Sequence, residues 1–168
     1  AKGNCFESLI RNLLTLHQYD IRGNINYSGM EIDLVAEHKH NKESLYVECK
    51  AKEKVSSDEL SKFSFNVGFK KIDKGYFFRT QELESQAGAL LSEIKARPEY
   101  KNLTFFEPSE IIKILSDGKM IFEPTSELKN YLISKRTLAV TYFGDFFIYL
   151  VNESNALPTK FIVVNAND

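Results

Sequence analysis

Apolar residues recur at helical spacing near the start of the chain. Phe6, Leu9, Ile10, Leu13 and Leu14 form one face of a predicted helix over residues 4–18. Asn4 stands three residues before Glu7, the capping-box arrangement. A short strand is expected over residues 21–27, ending at Ser28-Gly29. Alternation then replaces the helical period. In Met30–Glu37, Ile32, Leu34 and Ala36 point one way while Glu31, Asp33 and Val35 point the other. In Leu45–Lys50, Leu45, Val47 and Cys49 oppose Tyr46, Glu48 and Lys50. Polar residues from His38 to Glu43 separate the two runs, so they read as a hairpin. Pairing symmetric about residues 40 and 41 sets Asp33 across from Glu48. Ser56-Ser57-Asp58-Glu59 opens a helix to about Val67, with Gly68 near its end. A strand at Lys74–Thr80, a helix at 82–96 stopped by Pro98, a strand at Leu103–Phe106 and a helix from Pro108 to Leu115, closed at Gly118, complete the series. This order predicts an α/β domain whose hairpin forms one side of a mixed sheet and whose later strands join through crossover helices.

The pattern changes after residue 119. Thr125 is expected to cap a short helix to Ser134. Strands at 138–143, 146–151 and 161–164 follow, with a Gly144-Asp145 turn between the first two. These strands are apolar on both faces, so both faces are expected to be covered. The chain thus divides into 1–118 and 119–168. The second part is a helix plus β-meander, either an annex to the first or a bridge to a further domain of a longer protein.

Composition narrows the class. The chain has 168 residues, 43% hydrophobic and 27% charged, which supports a packed core. A net charge of −1 gives no global attraction for nucleic acid, so any polyanion site must be a local patch. The two cysteines, Cys5 and Cys49, fit no zinc spacing and no disulfide framework, and they suit a reducing cytoplasm as small apolar packing residues. No run of about 18 apolar residues predicts a membrane span, and no signal-peptide pattern is present. No glycine-rich phosphate loop is present either, so ATP hydrolysis by this chain is not expected.

The candidate chemistry lies in the hairpin. Asp33 and Glu48 at matched positions repel unless a cation lies between them, and strand interiors disfavour both residues. Lys50 shares their face. Glu-x-Lys alone carries little weight, because Glu37/Lys39, Glu93/Lys95 and Glu127/Lys129 repeat it in a turn or in predicted helices. Only Glu48/Lys50 falls mid-strand opposite an aspartate. The plainer alternative is a solvated hairpin face on which Lys50 balances two acids. Glu7 adds a third carboxylate, as a further ligand or as a capping partner.

Gly3-x-x-Phe6-Glu7, Gly29-Met30-Glu31-Ile32-Asp33-Leu34-Val35-Ala36 and Glu48-Cys49-Lys50 together resemble the PD-(D/E)xK nuclease superfamily, and most closely its Mrr-type restriction endonuclease branch. The resemblance spans residues 3 to 116, including the pattern of Gly75 to Thr80 and Ala87. It departs from the family in lacking the proline of the name, and in having Glu48 where many Mrr-type proteins have glutamine. The resemblance implies a restriction-endonuclease-like fold and a Mg²⁺-dependent endonuclease acting on DNA in restriction or phage defence, with Mn²⁺ as a substitute metal. It implies that Asp33, Glu48 and the Cys49 backbone carbonyl hold the metal, that Glu7 supports it directly or through water, and that Lys50 orients the attacking water. It also implies dimerisation, since one site cuts one strand. The alternatives are a non-cleaving nucleic-acid-binding or regulatory module of the same fold, and an interaction domain that docks through its meander.

Lys50, Lys52 and Lys54 alternate along the strand and its continuation, and Lys70, Lys71 and Lys74 follow the next helix. Lys52, Lys54, Lys70 and Lys71 are candidate DNA-phosphate contacts; a solvated lysine face is the alternative. His38 and His40 read as a polar turn rather than a metal pair, and His17 as a surface residue near a helix end. The aromatic meander residues Tyr142, Phe143, Phe146, Phe147 and Tyr149 suggest core or interface more than base stacking.

Overall fold

The computed structural model describes residues 2–23, 34–51, 54–124, 126, 128–152 and 160–168. Two compact units divide between Ile111 and Ile112. Among the described residues, no helix is long and apolar enough to cross a membrane.

The first unit begins with α1 (Lys2–Leu16) and the strands β1 (Tyr19–Ile21), β2 (Leu34–His38) and β3 (Ser44–Lys50). Then come α2 (Ser57–Phe69), β4 (Lys74–Arg79), α3 (Ser85–Ala96), a 3₁₀ turn at Pro98–Tyr100, and β5 (Leu103–Phe106). Helix α4 (Pro108–Asp117) carries the division between the units. The five strands make one sheet in the order β1-β2-β3-β4-β5. The first three are antiparallel neighbours, and β3, β4 and β5 run parallel. This is the expected mixed sheet, with the hairpin on one side and crossover helices on the other.

The hairpin register is the symmetric one: Leu34 pairs with Val47 and Val35 with Tyr46. Strand β3 is central and buried on both faces, with Leu45, Tyr46 and Val47 all within 1% of full burial. Tyr46 faces α2, stacking on Phe63, and joins a core of Leu60, Phe63, Val67, Phe77 and Phe105. Leu45 and Val47 point to the opposite face. Helix α1 packs against β1 and β3 through buried Phe6, Leu9, Ile10, Leu13 and Leu14. Gly75 on β4 is required by close approach. A Cβ there would stand 2.6 Å from Val67 Cγ2 and 2.9 Å from Phe63 Cζ, both on α2.

Several local expectations are corrected. Helix α1 is already formed at Lys2, so Asn4 lies inside its first turn and is not the cap. Strand β1 starts at Tyr19, which is buried and pairs with His38; most of the strand expected over 21–27 lies outside the described residues. Helix α3 starts at Ser85 because the backbone before it bridges to Val55: Val55 N–H donates to Glu82 and Glu84 N–H to Val55.

The second unit holds β6 (Leu132–Thr141), β7 (Gly144–Asn152) and β8 (Lys160–Asn165), an antiparallel sheet in that order. Among the described residues of 125–134, the expected short helix does not form. Residues 128–130 make a turn, and Leu132 and Ile133 pair with Asn152 and Val151 instead. Long-range ladder pairing overrides the local pattern. The hairpin turn is Tyr142-Phe143, with Thr141 paired to Gly144, not Gly144-Asp145. Gly144 enters β7 at φ +121°, a conformation that L side chains rarely adopt. One face of this sheet buries Phe147, Tyr149 and Val151. On the other, Leu132, Phe161 and Val163 are more than half exposed, so the expectation of cover on both faces fails there. Apolar residues on two faces record a preference for burial and do not themselves provide the cover.

Candidate functional site

Glu48 and Lys50 lie at the carboxyl end of β3, where the strand runs parallel to β4. Alternation places both on the α2 face with Tyr46. The Tyr46 hydroxyl donates to Glu48 Oε2 at 2.6 Å, and Lys50 Nζ lies 2.5 Å from Glu48 Oε1. The two site side chains keep 12% and 24% of their surface, so the pair is recessed yet reachable from solvent. Glu59, in the first turn of α2, sets its Oε1 4.0 Å from the same ammonium. Its Oε2 accepts from Ser56 N–H at 3.0 Å and from Ser56 Oγ at 3.2 Å, which ties it to the helix start.

Arg79 pairs in register with Lys50 on β4, and Thr80 N–H donates to the Lys50 carbonyl. The Arg79 guanidinium donates to the Gln81 carbonyl at 2.5 Å and lies 3.4 Å from Glu107 at the end of β5. The carboxyl ends of the parallel strands therefore carry two adjacent cations, the place where open α/β sheets commonly bind ligands.

The other candidates fall differently. Asp33 and Lys52 lie outside the described residues. Glu7 is engaged by Arg11 one turn further along α1, at 2.9 and 3.1 Å. That ion pair takes the carboxylate that a capping box would have used. Cys49 and Cys5 are half-buried and form no disulfide. Lys54 is exposed next to Val55, at the Lys50 end of the sheet. Lys70 and Lys71 are not brought to this end. They follow α2, just before β4 begins at Lys74, and Lys74 pairs with Leu45, five residues before Lys50. At about 3.3 Å per residue, roughly 16 Å of strand separates the two ends. His38 and His40 rings stand 5.8 Å apart around the hairpin turn. Among the described residues, no group of three or more His, Cys, Asp or Glu side chains is placed to hold a metal ion.

Perturbed titrations accompany structural contacts elsewhere in the chain. At the far end of β3, the Ser44 backbone N–H holds the Asp73 carboxyl below its ordinary value, with help from the Ser44 hydroxyl. Beside it, hydrogen bonds from Lys74 and then Asn41 lower Glu43, and Glu43 raises Lys74 in turn. Burial pushes the Tyr19 and Tyr149 phenols up to about 12.

Tyr46, Glu59 and Arg79 have no role in the sequence reading. Glu59 carries a local signal, the Ser56-x-x-Glu59 spacing, and Tyr46 sits two residues before Glu48. Arg79 carries none, since its place beside Lys50 depends on parallel pairing across an intervening helix.

The model of a family described as restriction endonuclease, Mrr_cat, matches residues 1–114. The fold is similar to the crystal structure of a protein of unknown function, AF1548. The TM-score is 0.52 at 17% identity, covering 74% of this chain and 71% of that one. The DNA modification-dependent restriction endonuclease AspBHI also aligns, with TM-score 0.43 and 16% identity, over 67% of this chain and 30% of that one. No curated protein matches the sequence.

Proposed function

This chain belongs to the Mrr_cat family of restriction endonucleases, and on that footing we propose that it is a Mg²⁺-dependent endonuclease that hydrolyses DNA phosphodiester bonds in restriction or phage defence. The observation that carries the reading is the Glu48–Lys50 pair, 2.5 Å apart on one face at the carboxyl end of β3. Asp33 is the remaining residue of the proposed site. It precedes Leu34 in the chain, and Leu34 pairs with Val47, the neighbour of Glu48. Asp33 is thus one peptide bond along the chain from a residue whose cross-strand partner adjoins Glu48.

The donors suit a hard divalent cation. Asp33 and Glu48 offer carboxylate oxygens and Cys49 a backbone carbonyl, the oxygen set that Mg²⁺ takes. Such an ion, when bound, lowers the pKa of a water ligand and offsets charge on the phosphate. Lys50 donates to the attacking water and to the phosphate oxygen that gains charge. Water oxygen bonds to phosphorus as the P–O3′ bond breaks, and a water proton ends on O3′, leaving a 5′-phosphate and a 3′-hydroxyl. Lys54 supports the phosphate backbone from the same end of the sheet, and Glu7 assists the metal only if it leaves Arg11.

The test is cleavage of supercoiled plasmid with Mg²⁺ by wild type beside Asp33→Ala and Lys50→Ala. Wild type nicks the plasmid, and each variant loses at least about 100-fold in rate, the scale expected for losing a charge-stabilising group. Equal residual nicking by all three proteins refutes the assignment. Mn²⁺ heat in a wild type that never cuts would favour the non-cleaving module instead.

A further inference from the structure

Glu48 and Lys50 are each contacted by a residue outside the proposed catalytic set: Tyr46 and Glu59. Tyr46 is 1% exposed, and its ring lies 5.4 Å from Phe63 at an interplanar angle of 23°. Phe63 is itself wedged edge-on to Phe77 and Phe105, at 5.3 and 5.6 Å. The aromatic core thus fixes the Tyr46 ring, and the ring fixes its hydroxyl. A phenylalanine would fill the same space. What tyrosine adds is one hydroxyl, and that hydroxyl reaches Glu48 Oε2 at 2.6 Å, a short charge-assisted contact. The bond occupies one carboxylate oxygen and leaves Oε1 turned toward Lys50.

On the other side, Glu59 divides its two oxygens between tasks. Oε2 serves the start of α2 through Ser56, and Oε1 faces the Lys50 ammonium at 4.0 Å. Lys50 therefore stands between two carboxylates, one on its own strand and one on the helix. A cation held by Glu48 would compete with the ammonium for that carboxylate, and Glu59 would remain beside Lys50 as an anion.

We propose that Tyr46 and Glu59 are positioning residues of this site: Tyr46 orients Glu48 as a metal ligand, and Glu59 holds Lys50 toward the substrate. Helix α2 is thereby part of the catalytic apparatus, through Phe63 under Tyr46 and through Glu59. The inference rests on the proposed metal-dependent nuclease.

The experiment uses the full-length chain, with Mn²⁺ binding followed by calorimetry and cleavage by steady-state kinetics. Tyr46→Phe preserves the ring packing and is expected to weaken Mn²⁺ binding about 10- to 100-fold, as loss of a hydrogen bond to a ligating carboxylate does, with the melting temperature near that of wild type. Glu59→Gln preserves the capping acceptor, because glutamine serves at that position, and removes only the charge facing Lys50. It is expected to lower kcat about tenfold with KM and Mn²⁺ affinity unchanged, a split that a merely structural cap would not produce. If wild type binds Mn²⁺ and cuts while both folded variants match it within twofold, the positioning roles are wrong and the nuclease stands. Unchanged Mn²⁺ affinity in Tyr46→Phe overturns the Tyr46 role, and an unchanged kcat in Glu59→Gln overturns the Glu59 role. A wild type that neither binds Mn²⁺ nor cuts overturns the proposed function and this inference together.

Discussion

Single residues on this chain divide into those that serve the candidate site and those that join strands. Asp73 is of the second kind. Its Oδ2 accepts from Ser44 N–H and Ser44 Oγ, both at 2.8 Å, while its own N–H donates to Ser44 Oγ at 3.0 Å. This reciprocal pair joins the starts of β3 and β4. The Asp73 carboxyl titrates below its ordinary value, chiefly because of the Ser44 backbone N–H. A depressed folded-state pKa means that the contribution is fully present above the unfolded value and is lost as pH falls through the folded one. Asp73→Asn should therefore melt below wild type at neutral pH. The gap should narrow as pH drops beneath the usual carboxylate range, as read by thermal melts across an acid series. Glu43, also depressed, loses its Lys74 contact over the same acid side, so the wild-type acid limb reports both groups. Neither Asp73 nor Glu43 stands out in the sequence, because each finds its partner 29 or 31 residues away. Glu48 and Lys50 did stand out, since their spacing places them on one strand face whatever the sheet does.

At the level of elements, α2 on β4 is the contact with the least tolerance. Gly75 lets Val67 and Phe63 approach the strand backbone, and any side chain there must displace them. Gly75→Ala is expected to destabilise the chain by about 1–3 kcal/mol, the usual cost of overpacking, measured by urea unfolding. Because Phe63 also carries Tyr46, the same substitution should slow cleavage more than it raises KM. Element types were largely legible wherever the period was long and the partner local. Residues 6–14 announced α1, and the β2–β3 hairpin took the register that symmetry about residues 40 and 41 required. Misreadings occurred where distant backbone intervened. The segment after Thr80 delays α3 to pair with Val55, and Leu132-Ile133 joins β7 rather than a helix.

For the whole molecule, the chain divides between Ile111 and Ile112, and the family match over residues 1–114 covers the first unit, where the proposed site lies. A fragment of residues 1–118, which keeps α4 intact, is expected to fold and to retain Mg²⁺-dependent plasmid nicking within about tenfold of the full chain, the scale of a modest change in barrier. Loss of nicking in a folded, monodisperse fragment would assign the β6–β8 sheet a part in the chemistry. By itself the sequence determined the mixed α/β class, the hairpin and the face shared by Tyr46, Glu48 and Lys50, because strand alternation and helical period are local consequences of backbone geometry. Only the tertiary structure decided that Arg79 stands beside Lys50, that Glu59 reaches the same ammonium, and that Lys70 and Lys71 lie at the far end of the sheet. Those placements follow from parallel pairing across α2, and no local period encodes which ends of two separated strands will meet.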